Sequence, residues 1–390
     1  MLHRIYIYIY ILAFSGFLVL FGNTAAIPEI GPPLVSDLVR VRGANNSSLN
    51  AKRDPTVIVE QLEQEGQRLA INLRLQGVDY LLHLDTGGGL TWIATSDFTC
   101  YDDKHQRQTQ EYCKLGPDLY KGSVTSTEYF KEHYGSTEVA RGKRSRKTVE
   151  IGGEEVEDVE IGFAHELVWQ GDGLTVGLFG LAWYPGATSI WQDLCKAMCL
   201  PVQYTLALNR EADGDYNGGA IAFGGTVDGQ PITPDAWATV DLVWTDAGKW
   251  LINGFKMAFN GPKAVQTEKI DQITIIDSGD PRIRLPEETT NAFLAAWDPD
   301  PKWHEQKKVW EVSCKARWPD SVTFEIGGKK FKVPVRDNIA AEYQGFCYLT
   351  IVKTAKTGDN ASLGLPFMRY LVINHDFEGR KMSFKQRVYA

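Results

Sequence analysis

Two short stretches carry residue types that could do acid–base chemistry together. Asp85-Thr86-Gly87 closes an apolar run over residues 80–84, and Asp277-Ser278-Gly279 closes another over residues 273–276. One such triplet alone is an ordinary β-turn, in which the Asp accepts backbone N–H bonds and the Gly supplies positive φ. Two copies in matching context permit more. If the stretches meet, two carboxylates share one site and cannot both ionise cheaply. One pKa rises, the other falls, and the pair holds one proton over a wide acid range. One member can then take a proton from a water while the other protonates a carbonyl. Water is the nucleophile, so this chemistry calls for no Ser, Cys, metal or cofactor.

Placing both triplets at one point is a task for strands. From Val57 onward, short β-rich runs alternate with Gly, Asn and Asp turns, as at 68–75, 156–163, 204–208, 220–223, 322–326 and 371–374. Several alternate with period two. Helical patterns are few, and the best cover 189–198 and 287–297. This spacing predicts an all-β architecture of sandwiches or barrels. Each half also has a later apolar-then-glycine step, Leu178-Phe179-Gly180 and Ser362-Leu363-Gly364. The shared order suggests two copies of one lobe.

The chain has 390 residues, 43% hydrophobic and 23% charged, enough for a sizeable core in more than one domain. A net charge of −8 argues against a nucleic-acid partner. The six Cys and seven His show no CxxC or HExxH spacing and so suggest no metal site. Residues 5–21 form an uncharged apolar run followed by Asn23-Thr24-Ala25-Ala26, which predicts a secretory signal over 1–26, with an uncleaved anchor as the alternative. Residues 27–53 are expected to be a short prosegment or linker of poor periodicity, ending in Lys52-Arg53, a dibasic pair that is either a processing site or two solvated charges. Asn45, Asn46 and Asn360 begin glycosylation sequons, which have meaning only in the secretory pathway. The expected location is extracellular, with a vacuolar or membrane-anchored fate also open.

Over residues 67–384 the chain resembles the pepsin-like aspartic proteases of the secreted fungal type. The likeness rests on Asp85-Thr86-Gly87 followed by Trp92-Ile93, and on Tyr134-Gly135 leading into 148–153. It continues through Gly177-Leu178-Phe179-Gly180, the run 218–225, Trp250, Asp277-Ser278-Gly279, Leu285-Pro286 and Leu363-Gly364. The resemblance implies a bilobal fold with lobes at 54–228 and 229–390, a cleft between them, a peptide or protein substrate, and a monomer. It implies that Asp85 and Asp277 hold the nucleophilic water, that Thr86 and Ser278 lock the two loops together, and that the N–H groups of Gly87 and Gly279 bond the carboxylates. It places Tyr134 and Gly135 on a mobile flap, with the Tyr134 hydroxyl near Trp92. It also implies disulfides Cys100–Cys113 and Cys314–Cys347. Cys195 and Cys199 have no counterpart. At i, i+4 on a helix their mutual bridge is strained, so they pair only if the helix ends there, or stay buried thiols.

The chain departs from the family where the chemistry lies. Gly88 and Asp280 replace hydroxyl residues that favour the ionised aspartates, which predicts a raised dyad pKa and an optimum shifted toward neutral. Pro281-Arg282 replaces small residues that bond the substrate backbone, and Arg282 and Arg284 either face the cleft or pair with Asp280. The flap tip Ser136-Thr137-Glu138 lacks a second Gly and is expected to be stiffer. The run 141–147 carries five positive charges, either a solvated hairpin face or a contact for acidic partners. These departures motivate two rival readings: a catalytically weakened binding protein, and an acid–base tailoring enzyme on the same fold that is not a protease.

Overall fold

The computed structural model describes residues 33–41 and 68–390, apart from 136, 184–188, 211–216, 228–231, 247, 264, 306–308, 357 and 390. The expected signal segment, Lys52-Arg53 and the sequons at Asn45 and Asn46 lie outside the described residues.

Arg68–Leu75 and Val78–Asp85 form an antiparallel hairpin with Ile71 opposite Leu82. The connecting Gln76 and Gly77 both have positive φ, at 54° and 79°, which suits the right-handed twist of a two-residue turn. The hairpin delivers Asp85 to a parallel neighbour, Gly177–Gly180, with Asp85 beside Gly180. That neighbour also pairs antiparallel with Trp92–Tyr101, Leu178 opposite Trp92.

The second half repeats these pairings. Thr274–Ile276 lies parallel to Ala361–Leu363, Ile276 beside Leu363. Ala361–Leu363 in turn pairs antiparallel with Ile283–Leu285. The parallel partners also correspond, Glu154–Val168 for Trp92–Tyr101 and Ile351–Lys353 for Ile283–Leu285. The weak internal echo of the sequence is thus a repeated strand arrangement, with an aspartate at the same strand end in each half.

The halves meet through Gln203–Leu208, paired on one edge with Asn217–Phe223 and on the other with Leu371–Asp376. Leu34–Val41 joins the same sheet, Leu34 opposite Phe223 and Val39 opposite Ala70. This strand falls in the stretch read from sequence as linker. Its apolar face is short, with Leu38 buried and Val35 exposed, and its place is set by backbone bonding to neighbours far along the chain.

Helices are short. Ile190–Ala197 starts behind Ser189, whose side chain and that of Gln192 form a reciprocal capping box. Glu287–Ala295 stops two residues before the periodicity suggested. Cys195 is buried on the first helix, Cys199 is exposed beyond its end, and both are free thiols. Disulfides link Cys100 to Cys113 and Cys314 to Cys347. The described chain is mostly strand arranged as two related lobes, the bilobal fold expected from sequence.

Candidate active site

The two triplets face each other across the lobe junction and are laced by reciprocal bonds. The Thr86 N–H donates to Ser278 Oγ at 3.0 Å, and the Ser278 N–H donates to Thr86 Oγ1 at 2.8 Å. Each hydroxyl donates in turn across the junction, Thr86 to the Ile276 carbonyl at 2.8 Å and Ser278 to the Leu84 carbonyl at 2.9 Å. Both side chains are fully buried, so every bond replaces a lost bond to water. The Gly87 N–H donates to Asp85 Oδ1 at 2.7 Å and the Gly279 N–H to Asp277 Oδ1 at 2.8 Å.

The carboxylates converge. A Cβ at Gly87 would stand 2.7 Å from Asp277 Oδ2, and one at Gly279 would stand 2.6 Å from Asp85 Oδ1 and 3.1 Å from Asp277 Oδ1. Only glycine lets the loops approach this closely. The two carboxyls are close enough to act on each other's ionisation. Burial raises Asp85 overall, and it raises Asp277 well above the carboxylate range, with the charges of Asp85 and then Asp280 adding to the rise. Burial thus favours protonation of both, and the pair holds a shared proton.

The flap hairpin consists of Tyr129–His133 and Val139–Ile151, closed by a bond from the Tyr134 N–H to the Glu138 carbonyl. Tyr134 is half-buried, and its hydroxyl accepts a bond from Trp92 Nε1 at 2.7 Å. Trp169 packs edge-on against both, with ring centroids 5.0 Å from Trp92 and 5.3 Å from Tyr134. Burial first, then the Asp85 charge, pushes the Tyr134 phenol well up, so it stays neutral. At Gly135 a side chain would meet open space, so crowding does not demand the glycine.

The departures from the family pattern have local causes. A Cβ at Gly88 would lie 2.7 Å from Asp85 Oδ2, so the carboxylate occupies room a side chain would need. Asp280 is buried and engaged by Arg284, with Nε to Oδ2 at 2.7 Å, and it accepts the Arg282 N–H at 3.1 Å. Arg284 thus pairs with Asp280, while Arg282 contributes its backbone. The basic run is matched by the acidic strand beside it: Arg141 to Glu166 at 3.6 Å, Arg144 to Glu160 at 3.2 Å and Arg146 to Asp158 at 3.1 Å. It is a cross-strand charge ladder. Asn360 is exposed at the edge of a buried strand.

Sequence reasoning missed three features. Trp169 completes the aromatic cluster under the flap. The Glu138 carboxylate tethers the flap, accepting the Gln170 N–H at 3.0 Å and lying 4.0 Å from the Arg68 guanidinium. Lys249 precedes the buried Trp250, and its charge pulls both Asp85 and Asp277 down. Each is far from either triplet in the chain, and its partners are set by tertiary packing.

Two lobes with an aspartate pair at their seam and an aromatic-backed flap define an aspartic peptidase. The sequence pattern of the eukaryotic aspartyl protease family matches residues 71–387, and the chain belongs to that family. It is 23% identical over 390 aligned residues to the probable aspartic-type endopeptidase AFUA_3G01220 of Aspergillus fumigatus, covering 90% of this chain and 87% of that one. It is also 23% identical to secreted aspartic protease 10 of Candida albicans, over 79% of this chain and 68% of that one. The crystal structure of the aspartic proteinase from Irpex lacteus superposes with a TM-score of 0.65 at 15% identity, covering 83% of this chain and 95% of that one. The protein is an aspartic-type endopeptidase.

Proposed function

We propose that Asp85 and Asp277 hydrolyse peptide bonds through a water held between them, with Asp85 as the base and Asp277 as the acid. The convergence of the two carboxyls at the lobe seam, where a Cβ at Gly279 would stand 2.6 Å from Asp85 Oδ1 and 3.1 Å from Asp277 Oδ1, carries this reading. Asp85 takes a proton from the water as the water's oxygen attacks the peptide carbonyl. Asp277 gives its proton to the carbonyl oxygen, and a tetrahedral diol forms. Return of a proton to the amide nitrogen then releases the two peptides. The Thr86–Ser278 lacing and the Gly87 and Gly279 N–H groups fix both carboxylates, so little reorganisation accompanies the reaction. Tyr134 and Trp92 close the cleft from the flap side.

The operating range is set by the same groups. Burial, the charge of one aspartate on the other and then the Asp280 charge hold a proton on the pair to a higher pH, which extends activity toward neutral. Processing removes the signal over 1–26, and cleavage after Arg53 leaves a chain with lobes at 54–228 and 229–390. The enzyme then acts outside the cell as a monomer on peptide or protein substrates, glycosylated at Asn360. Kinship with a secreted protease of the same family supports this location.

The test incubates the processed protein with a diverse peptide library across pH 3–7, with and without a statine inhibitor that mimics the diol. Inhibitable cleavage persisting above pH 5 is expected. Inhibitor binding without cleavage would favour the binding-protein or tailoring reading, and an optimum near pH 3 would overturn the shifted range.

A further inference from the structure

Lys249 lies beside the aspartate pair, and its ammonium is engaged by no hydrogen bond or ion pair among the described residues. Its place follows from backbone pairing. Leu251–Ile252 runs antiparallel to Thr274–Ile276, with Leu251 opposite Ile275. The Ile276 N–H donates to the Trp250 carbonyl at 3.1 Å, so the next residue outward, Lys249, stands alongside Asp277. Its neighbour Trp250 is fully buried and anchored by an Nε1–H bond to the Leu181 carbonyl at 2.9 Å. Side chains alternate along an extended segment, so Lys249 projects to the other side, where it is half-buried.

The acidic groups of the site are already committed. Asp280 is bound by Arg284, and the two aspartates hold a proton between them. Lys249 acts on Asp85 and Asp277 through its field without bonding to either. A half-buried cation with no partner is poorly solvated and gains when an anion arrives. A peptide threaded past the pair brings its side chains to this point.

Resting on the endopeptidase reading of the same cleft, we infer that Lys249 is a specificity-determining residue that receives a substrate carboxylate close to the scissile bond. The carboxylate comes from an acidic side chain or from a nearby chain end. A charge-assisted bond of this kind in a partly desolvated cleft is worth roughly tenfold or more in recognition.

The experiment measures kcat/KM for peptide pairs that differ only as Glu against Gln at each position flanking the cleaved bond. A second pair differs as free C-terminal acid against amide. Statine peptides with the same Glu/Gln and acid/amide changes give the Kd ratios. Loss of the lysine charge also moves the aspartates, so the readout is the ratio between paired ligands, which that movement leaves alone. Wild-type protein should favour the Glu or acid form by roughly tenfold at one position. Lys249→Met should bring the ratio near one, and Lys249→Arg should keep most of it. Preference in the Glu/Gln arm assigns an acidic side chain, and preference in the acid/amide arm assigns a chain end. A wild-type Kd ratio near one at every position overturns the inference, as does a ratio that survives in Lys249→Met. Absent cleavage with the Kd preference intact would sink the hydrolase reading while leaving the lysine's role standing.

Discussion

At the scale of single residues, charge placement around Asp277 decides the working pH. Asp280 stands where the family carries a hydroxyl, and its charge adds to the rise of Asp277. The alkaline limb of kcat/KM reports loss of the proton that the aspartate pair holds. Asp280→Thr removes the negative charge and leaves the Arg284 guanidinium near the pair, and both changes favour ionisation. The alkaline limb should therefore move toward acid, and an unmoved limb would show that Asp280 does not set it. A second residue-scale expectation concerns the lacing. Thr86→Val keeps the shape but strands the buried Ser278 N–H, which now donates to Thr86 Oγ1 at 2.8 Å. The loss should be about 1–3 kcal/mol, read as a lower denaturation midpoint in urea.

At the scale of elements, the flap is a hairpin held on both sides of its tip. One side bears Tyr134, bonded to Trp92, and the other bears Glu138, bonded to the Gln170 N–H and beside Arg68. Glu138→Gln weakens the second tether while leaving the aromatic cluster in place. Hydrogen exchange across residues 130–142 should quicken, and exchange in the 203–208 strand should not. Equal change in both would mean general destabilisation. Elements also show what could be read in advance. The strands ending in Asp85 and Asp277 were legible because an apolar run stopping at Asp-[Thr/Ser]-Gly states both the strand and the turn. The Ile190–Ala197 helix was legible from a helical pattern over 189–198, while the role of Ser189 as its cap emerged only from the structure. Leu34–Val41 was not, since its order comes from backbone pairing with residues 217–223 and 68–70. The pairing of the basic run with the acidic strand was likewise invisible, because register between strands is a tertiary property.

At the scale of the whole molecule, buried titratable groups couple stability to pH. His83 is pulled down to about 3 by burial and then by the Arg68 charge, and His375 to about 3 by burial. The sign follows from proton counts. Below the ordinary histidine value the unfolded chain binds protons that the folded chain refuses, so stability falls as pH falls from about 6.5 toward 3. The slope is about 1.4 kcal/mol per pH unit for each such group, as an upper figure. His375 stacks on Tyr204 with centroids 4.4 Å apart, so His375→Phe keeps an aromatic ring there. The difference in melting temperature between pH 7 and pH 4 should shrink in that variant, and an unchanged difference would remove His375 from the explanation.

The aspartate pair itself is tested by kcat/KM of Asp85→Asn, Asp277→Asn and the double variant against wild type, each shown to be folded by an unchanged inter-lobe melting transition. Each single change should cost about 10²–10⁴-fold, and the double change should cost little more than either, because the two act as one unit. A single variant that keeps activity within about tenfold of wild type would contradict water activation between Asp85 and Asp277.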